Sequence, residues 1–297
     1  MKKILWVIAW VFVASSLTGC CCCCCSPGRG PSSRIIRNIN AGPVQRIERD
    51  IELQDAEQVD VTISFDGGDL EIDSVEQGLL NGVFVFNVDE LAPVIEYEVE
   101  NGRGRLLVGS ESDEFALDLQ VKEIRNEWQL GLAKNVPLNL TIDVGASRGE
   151  LKLGGLTITE LELTVGAAEL EVSFNELNPG KMERMFVHSG AARLALVDLG
   201  NANVTELVFD GGVGSYRFDF HGDWQRSAEV KIKSGVSNIV LQLPQDIGVR
   251  VCPGDLDGGS FGNLHPQETC YVNDAYTASE IKLEIDLDVG LSTVKVK

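Results

Sequence analysis

Leu161-Glu162-Leu163-Thr164-Val165-Gly166-Ala167-Ala168-Glu169-Leu170-Glu171-Val172 is an apolar strand that runs into a glycine and leaves it as a second apolar strand. The same phrase returns at Gly145, Gly190, Gly212, Gly235 and Gly290. From Gly145 to Gly235 the steps are 21, 24, 22 and 23 residues, a period at which self-similarity means stacked coils or arrays. Only the last step, 55 residues to Gly290, is long. Five and three residues before each glycine stand Leu140/Ile142, Leu161/Leu163, Met185/Val187, Leu207/Phe209, Val230/Ile232 and Ile285/Leu287. Six residues after it stand Leu151, Val172, Leu196, Phe218, Leu241 and Val296. All 18 positions are apolar in a chain of 44% hydrophobic content, a coincidence on the order of one in a few million. Glu, Thr, Lys, Asp and Asn lie between them, so each strand has one face in a core and one in water. The reading is an all-β chain, a stacked β-solenoid with rungs of roughly 22 residues, each made of two short strands.

With 297 residues the chain has room for a sizeable core and about two domains. Its net charge of −20 becomes −22 once Lys2 and Lys3 leave with the leader, which disfavours nucleic acid or any other polyanion as a partner. Glu160, Glu162, Glu169 and Glu171 sit at outward strand positions, where carboxylates keep a face solvated and discourage aggregation.

Met1-Lys2-Lys3 followed by the apolar run Ile4 to Ala14 has the charged start and short apolar middle of a secretory signal. Leu17-Thr18-Gly19-Cys20 resembles a bacterial lipobox, which implies cleavage after residue 19 and lipidation of Cys20. Several acyl chains on one residue hold a protein on a bilayer, because each buried CH₂ contributes about 0.8 kcal/mol. Cys21 to Cys25 continue the run without a metal-binding spacing. Ser26 to Pro43 is rich in Pro, Gly, Ser and Asn and carries Arg29, Arg34 and Arg37 but no acid, the composition of a stalk beside anionic headgroups. Cys252 and Cys270 stand apart, on either side of a Gly-rich loop. In an oxidising compartment they are expected to form a disulfide; the competing metal site with His265 would have only three ligands at irregular spacing.

The pattern divides the chain into a signal peptide (1–19), a lipid-anchored start and linker (20–44), an N-terminal β module (45–135) and the repeat solenoid (136–297) with its stapled loop 252–270. Within the N-terminal module, Val59 to Phe65, Asp66-Gly67-Gly68-Asp69 and Leu70-Glu71-Ile72 form a degenerate copy of the repeat. Asn81-Gly82 and Asn101-Gly102 read as two-residue turns, and Trp128 as a seam residue between the two halves. The final alternating strand, Ile281 to Val289, is expected to cap the stack.

Asn126-Glu127-Trp128, the entry from Pro137-Leu138 to Gly145-Ala146, the repeated Gly-Ala-Ala, Gly248-Val249-Arg250-Val251 and Tyr271-Val272-Asn273 to Tyr276 before Val289-Gly290-Leu291-Ser292 together resemble the bacterial toast-rack domains. These include the extracytoplasmic part of the cell-wall-active antibiotic response proteins. The resemblance covers nearly all of residues 45–297 and implies a stacked β-solenoid with non-catalytic envelope roles such as stress sensing, scaffolding or adhesion. This chain departs from it in having a lipid anchor in place of transmembrane helices and in its Cys252/Cys270 pair.

No phosphate loop, paired Cys-x-x-Cys or His-Glu-x-x-His is present. His188, His221 and His265 are widely separated, and Asp255-Leu256-Asp257-Gly258-Gly259 matches a calcium loop only at its start. The sequence therefore predicts no catalytic residue, no cofactor and no metal. It predicts an exported, lipid-anchored envelope module that binds a cell-surface polymer or an envelope protein. The rivals are a stress-sensing domain and a carbohydrate-active solenoid enzyme.

Overall fold

Strict alternation on both sides of a glycine produces a strand that bends once. The computed structural model describes residues 41–110, 124–254 and 259–297. Cys20 to Cys25, the stalk arginines and Asp255 to Gly258 lie outside the described residues.

The first strands are β1 (Gln45–Ile51), β2 (Gln58–Val75), β3 (Leu80–Phe86), β4 (Pro93–Glu100), β5 (Arg103–Ser110) and β6 (Asn126–Ala133). The regular coils follow as β7 (Leu138–Lys152), β8 (Ile158–Val165), β9 (Glu169–Ser173), β10 (Met182–Val197), β11 (Val204–Asp219) and β12 (Ala228–Gln242). The last part holds β13 (Gly248–Cys252), β14 (Gly259–Ser260), β15 (His265–Gln267), β16 (Cys270–Val272), β17 (Lys282–Val289) and β18 (Thr293–Val296). In β2, β7, β10, β11 and β12 one strand carries both arms through the corner; β8/β9 and β17/β18 make the same bend as two strands.

The first arms stack in the order β4, β5, β2, β7, β8, β10, β11, β12, β17, β13, β16, β15. The second arms run β1, β3, β6, β2, β7, β9, β10, β11, β12, β18, β14. Pairing from β2 through β12 is parallel throughout. Leu140, Leu161, Met185, Leu207, Val230 and Ile285 are successive Cα partners, so the repeat read from the sequence is the register of the stack. The degenerate copy in β2 lies on β7 over 13 residue pairs, from Val59↔Leu138 to Ile72↔Leu151.

All 18 repeat positions are buried, with Leu163, Val187, Phe209 and Ile232 at 0% exposure. Burying one such side chain stabilises by about 1.5–3 kcal/mol, while ordering one backbone residue costs about 1–2 kcal/mol. A lone coil of roughly 22 residues that buries about seven such side chains cannot offset its own ordering. Coils hold together only by covering one another.

The corner glycines answer to close approach. A Cβ on Gly166, Gly190, Gly212, Gly235 or Gly290 would fall 2.5–3.1 Å from the carbonyl oxygen of the glycine in the preceding coil. On the third side, loops return the chain and bury Leu153, Leu156, Phe174, Leu199 and Phe220. Asn178, fully buried there, donates to the carbonyls of Ile158 (2.9 Å) and Ala202 (3.1 Å) and accepts from the amides of Ile158 and Gly180, tying three coils together.

Three expectations change. Asn81-Gly82 lies inside β3, paired with Asp50 and Arg49 on one side and Gly131 and Leu130 on the other. Glycine is needed there because a Cβ would meet the Phe84 ring at 2.5 Å. Asn101-Gly102 does turn, with φ of 52° and 76°, the pair of positive values that a two-residue hairpin between β4 and β5 requires. Trp128 packs inside the N-terminal end, edge-on to Phe65 (5.0 Å) and Phe84 (5.2 Å), and not between two halves. The final strand does not cap the stack: β17 lies between β12 and β13, strands that precede it in the chain.

Candidate binding groove

Counting from each corner glycine, the third and fifth residues of the second arm point outward, and stacking turns each position into a row. One row reads Glu127, Asp69, Arg148, Glu169, Arg193, Ser215 across β6, β2, β7, β9, β10 and β11. The other reads Gln129, Glu71, Glu150, Glu171, Ala195, Arg217 and ends at Val240 on β12. Between the rows runs a groove of about 760 Å³. At a strand spacing of about 4.8 Å, the six steps from β6 to β12 make it about 29 Å long.

Its walls carry six carboxylates and three guanidiniums. Acids gather at the β6–β2–β7 end, and Arg193 and Arg217 stand at the other. Neighbouring coils share these charges: Arg193 meets Glu169 at 3.1 Å, and Arg148 approaches Asp69 at 3.9 Å. Arg217 reaches over the short side chain of Ala195 to Glu171 at 3.1 Å, two strands away. Gln129 donates to Glu71 at 3.2 Å, and the Arg125 guanidinium, hydrogen-bonded to Glu127 at 2.6 Å, holds that carboxyl below the ordinary carboxylate range. Exposed pairs of this kind contribute about 0–1 kcal/mol. A ligand can exchange them for its own hydrogen bonds at little cost.

The groove lining has no histidine, cysteine or lysine. His188 lies on the outer face of the first arms, stacked on Phe186, which Arg184 also covers at 5.3 Å. His221 Nδ1 contacts Asp219 at 2.6 Å in a local turn, and His265 Nε2 contacts Asp274 at 2.8 Å. Cys252 and Cys270 are joined by a disulfide, Sγ to Sγ 2.07 Å, and neither stands as a ligand beside His265. Among the described residues no group of three or more His, Cys, Asp or Glu side chains could hold a metal ion. Sequence reasoning placed Glu169 and Glu171 on a solvated face but missed Arg148, Arg193, Arg217 and the groove. The signal was available in the two columns read down the aligned coils.

Coils bent once at a glycine ladder, stacked in parallel and bearing a charged trench across one arm, define a repeat β-solenoid. The family model described as the N-terminal domain of toast_rack, DUF2154, matches residues 40–183 and again 176–242, and the chain belongs to that family. Among solved structures it is similar to a candidate cell adhesion protein from Clostridium sporogenes, at 20% identity and a TM-score of 0.48, covering 86% of this chain and 99% of that one. A candidate adhesin from Bacteroides fragilis is similar at 12% identity and a TM-score of 0.37, covering 85% and 97%. Another, from Parabacteroides distasonis, is similar at 12% identity and a TM-score of 0.32, covering 86% and 98%. No curated protein matches the sequence.

Proposed function

We propose that this chain is an extracytoplasmic lipoprotein, anchored through Cys20, whose groove holds an extended cell-surface polymer or a strand of an envelope protein without cleaving it. The observation that carries this reading is the groove itself. It is about 29 Å long against about 7 Å between its two rows, and it is walled by hydrogen-bonding groups of both signs. Such a surface suits a linear chain of hydroxyls, amides or mixed charges. The leader and lipobox support the location, and no helix among the described residues is long and apolar enough to cross a membrane.

The test incubates the mature chain, with Cys20 to Cys25 as serine, with purified peptidoglycan and with surface polysaccharide from a bacterial cell wall. Retention on one of these without shortened products is expected. The triple variant Arg148→Gln, Arg193→Gln, Arg217→Gln should lose about tenfold or more in affinity, the worth of one or two charge-assisted hydrogen bonds, with its thermal midpoint nearly unchanged. Bond cleavage would replace the reading with the carbohydrate-active one. Unaltered binding by the triple variant would move the site elsewhere.

A further inference from the structure

The groove row that stands three residues past the corner changes sign coil by coil. Asp69 on β2, Arg148 on β7, Glu169 on β9 and Arg193 on β10 are successive Cα partners and read negative, positive, negative, positive. Their side chains are 59%, 76%, 61% and 73% exposed, so the contacts of Arg148 with Asp69 and of Arg193 with Glu169 lie open to water and are readily exchanged for a ligand's. The opposite row does not alternate there. Glu71, Glu150 and Glu171 follow one another on β2, β7 and β9 as three carboxylates, which accept hydrogen bonds only and so take donors from that edge of a ligand. One period of the alternating row is two strand spacings, about 9.6 Å.

We propose, resting on the groove as the polymer site, that its occupant is a linear glycan whose successive sugars carry ammonium and carboxylate groups in turn, lying along the stack with one ring to each coil. Each ammonium faces Asp69 or Glu169, each carboxylate faces Arg148 or Arg193, and ring hydroxyls donate to Glu71, Glu150 and Glu171. A polymer of uniform charge meets a like charge at every second coil, whichever its sign, so the row selects against polyanion and polycation alike. Repeat length separates a glycan from a peptide strand. A β-linked pyranose with its bridging oxygen is close to one strand spacing long and keeps step with the coils. Side chains on one side of an extended peptide recur about every 6.8 Å, against about 4.8 Å for the coils, and over the steps from β2 to β10 they slip by about 6 Å, more than a whole coil.

The probe is a hexasaccharide of alternating glucosamine and glucuronic acid with free amines, in mildly acidic buffer of low salt where both groups are charged. Its affinity for the mature chain, with Cys20 to Cys25 as serine, is measured by titration calorimetry beside three other hexamers: the same sugar N-acetylated and so anionic only, glucosamine alone and so cationic only, and an alternating Lys-Glu peptide. The alternating sugar is expected to bind about tenfold tighter than each, the worth of a few exposed charge contacts turned from repulsive to attractive. Arg148→Glu combined with Glu169→Arg keeps the net charge but reorders the row into two acids followed by two bases, and it should erase that preference. Equal affinity for the three sugars, tighter binding of a uniform one, or a preference that survives the swap overturns the alternating ligand. A peptide held as tightly as the sugar makes the occupant a protein strand and overturns the glycan. If the swapped chain does not fold, Arg193→Gln decides: it should weaken the alternating sugar and not glucosamine alone, and a parallel loss overturns the assignment. Retention of wall polymer that depends on Arg148, Arg193 and Arg217, with no preference for the alternating sugar, overturns this ligand alone; no retention of any polymer overturns it together with the groove.

Discussion

The ring of Tyr216 occupies the space that a side chain at Gly211 would need: a Cβ built on Gly211 falls 2.8 Å from Tyr216 Cε2. Gly211 is the Cα partner of Ser189 and Ser234, so the missing side chain opens a notch in an otherwise continuous inner row. Gly211→Ala should cost about 1–3 kcal/mol by overpacking and lower the thermal midpoint accordingly. The Tyr216 hydroxyl is buried with no protein partner. Tyr216→Phe should therefore melt no lower than the parent. A clear loss in that variant would mean the hydroxyl is satisfied in solution, by a trapped water for instance.

A second pair of substitutions tests the glycine ladder. A Cβ on Gly212 would lie 2.5 Å from the carbonyl oxygen of Gly190, whereas one on Gly109 would meet nothing within 4 Å. Gly212→Ala should destabilise by about 1–3 kcal/mol, and Gly109→Ala should be neutral or gain about 0.4–1 kcal/mol. Chemical denaturation curves compare the two directly. Equal effects would remove close approach as the reason for the period.

Two aspartates give opposite pH signatures. Burial, with the Asp219 carboxylate nearby, holds Asp198 above the ordinary carboxylate range. The fold favours its protonated form, so that contribution is present below the unfolded pKa and is lost as pH rises through the raised value. Asp198→Asn, whose amide also suits the left-handed φ of 56°, should raise the thermal midpoint near neutral pH and give less in acid. Asp60 is the reverse: Arg103 hydrogen-bonds both its oxygens, at 2.6 and 2.8 Å, and lowers its pKa. Its contribution is present above the unfolded pKa and is lost as pH falls through the lowered one. Asp60→Asn should lower the midpoint near neutral pH, with the difference closing in acid. Melts across the acid range would show whether the two curves bend in opposite directions.

For the anchor, Cys20→Ser expressed in a bacterial host should abolish incorporation of labelled fatty acid and move the protein from the membrane pellet to the soluble fraction. Continued labelling would place the modification on another cysteine of the run. Continued pelleting without label would point to a different hold on the membrane.

The coil and its register were legible because each inner position repeats one demand, an apolar side chain at a fixed distance from a backbone crossing. Leu163, Val187, Phe209 and Ile232 needed only counting. Asn81-Gly82 misled because its glycine answers to the Phe84 ring lying over it and not to a reversal of the chain. The place of β17 was hidden for a different reason. Periodicity reports what a strand looks like, while the order of a stack depends on pairings across 50 residues or more, such as Ser234↔Val289. The groove fell between these cases, since Arg148, Arg193 and Arg217 are unremarkable in their own strands and form a wall only when the coils are laid over one another.

Stacking in one register also makes the molecule extensible. The floor that β10 offers to β11 is the same kind of surface that β11 offers to β12, glycine over glycine and apolar row over apolar row. A duplicated coil inserted at that joint would find its neighbours already shaped to receive it, and would lengthen the trench by one strand spacing. Gene duplication in steps of one coil would thus lengthen the charged trench while the strands on either side of the joint keep their pairings.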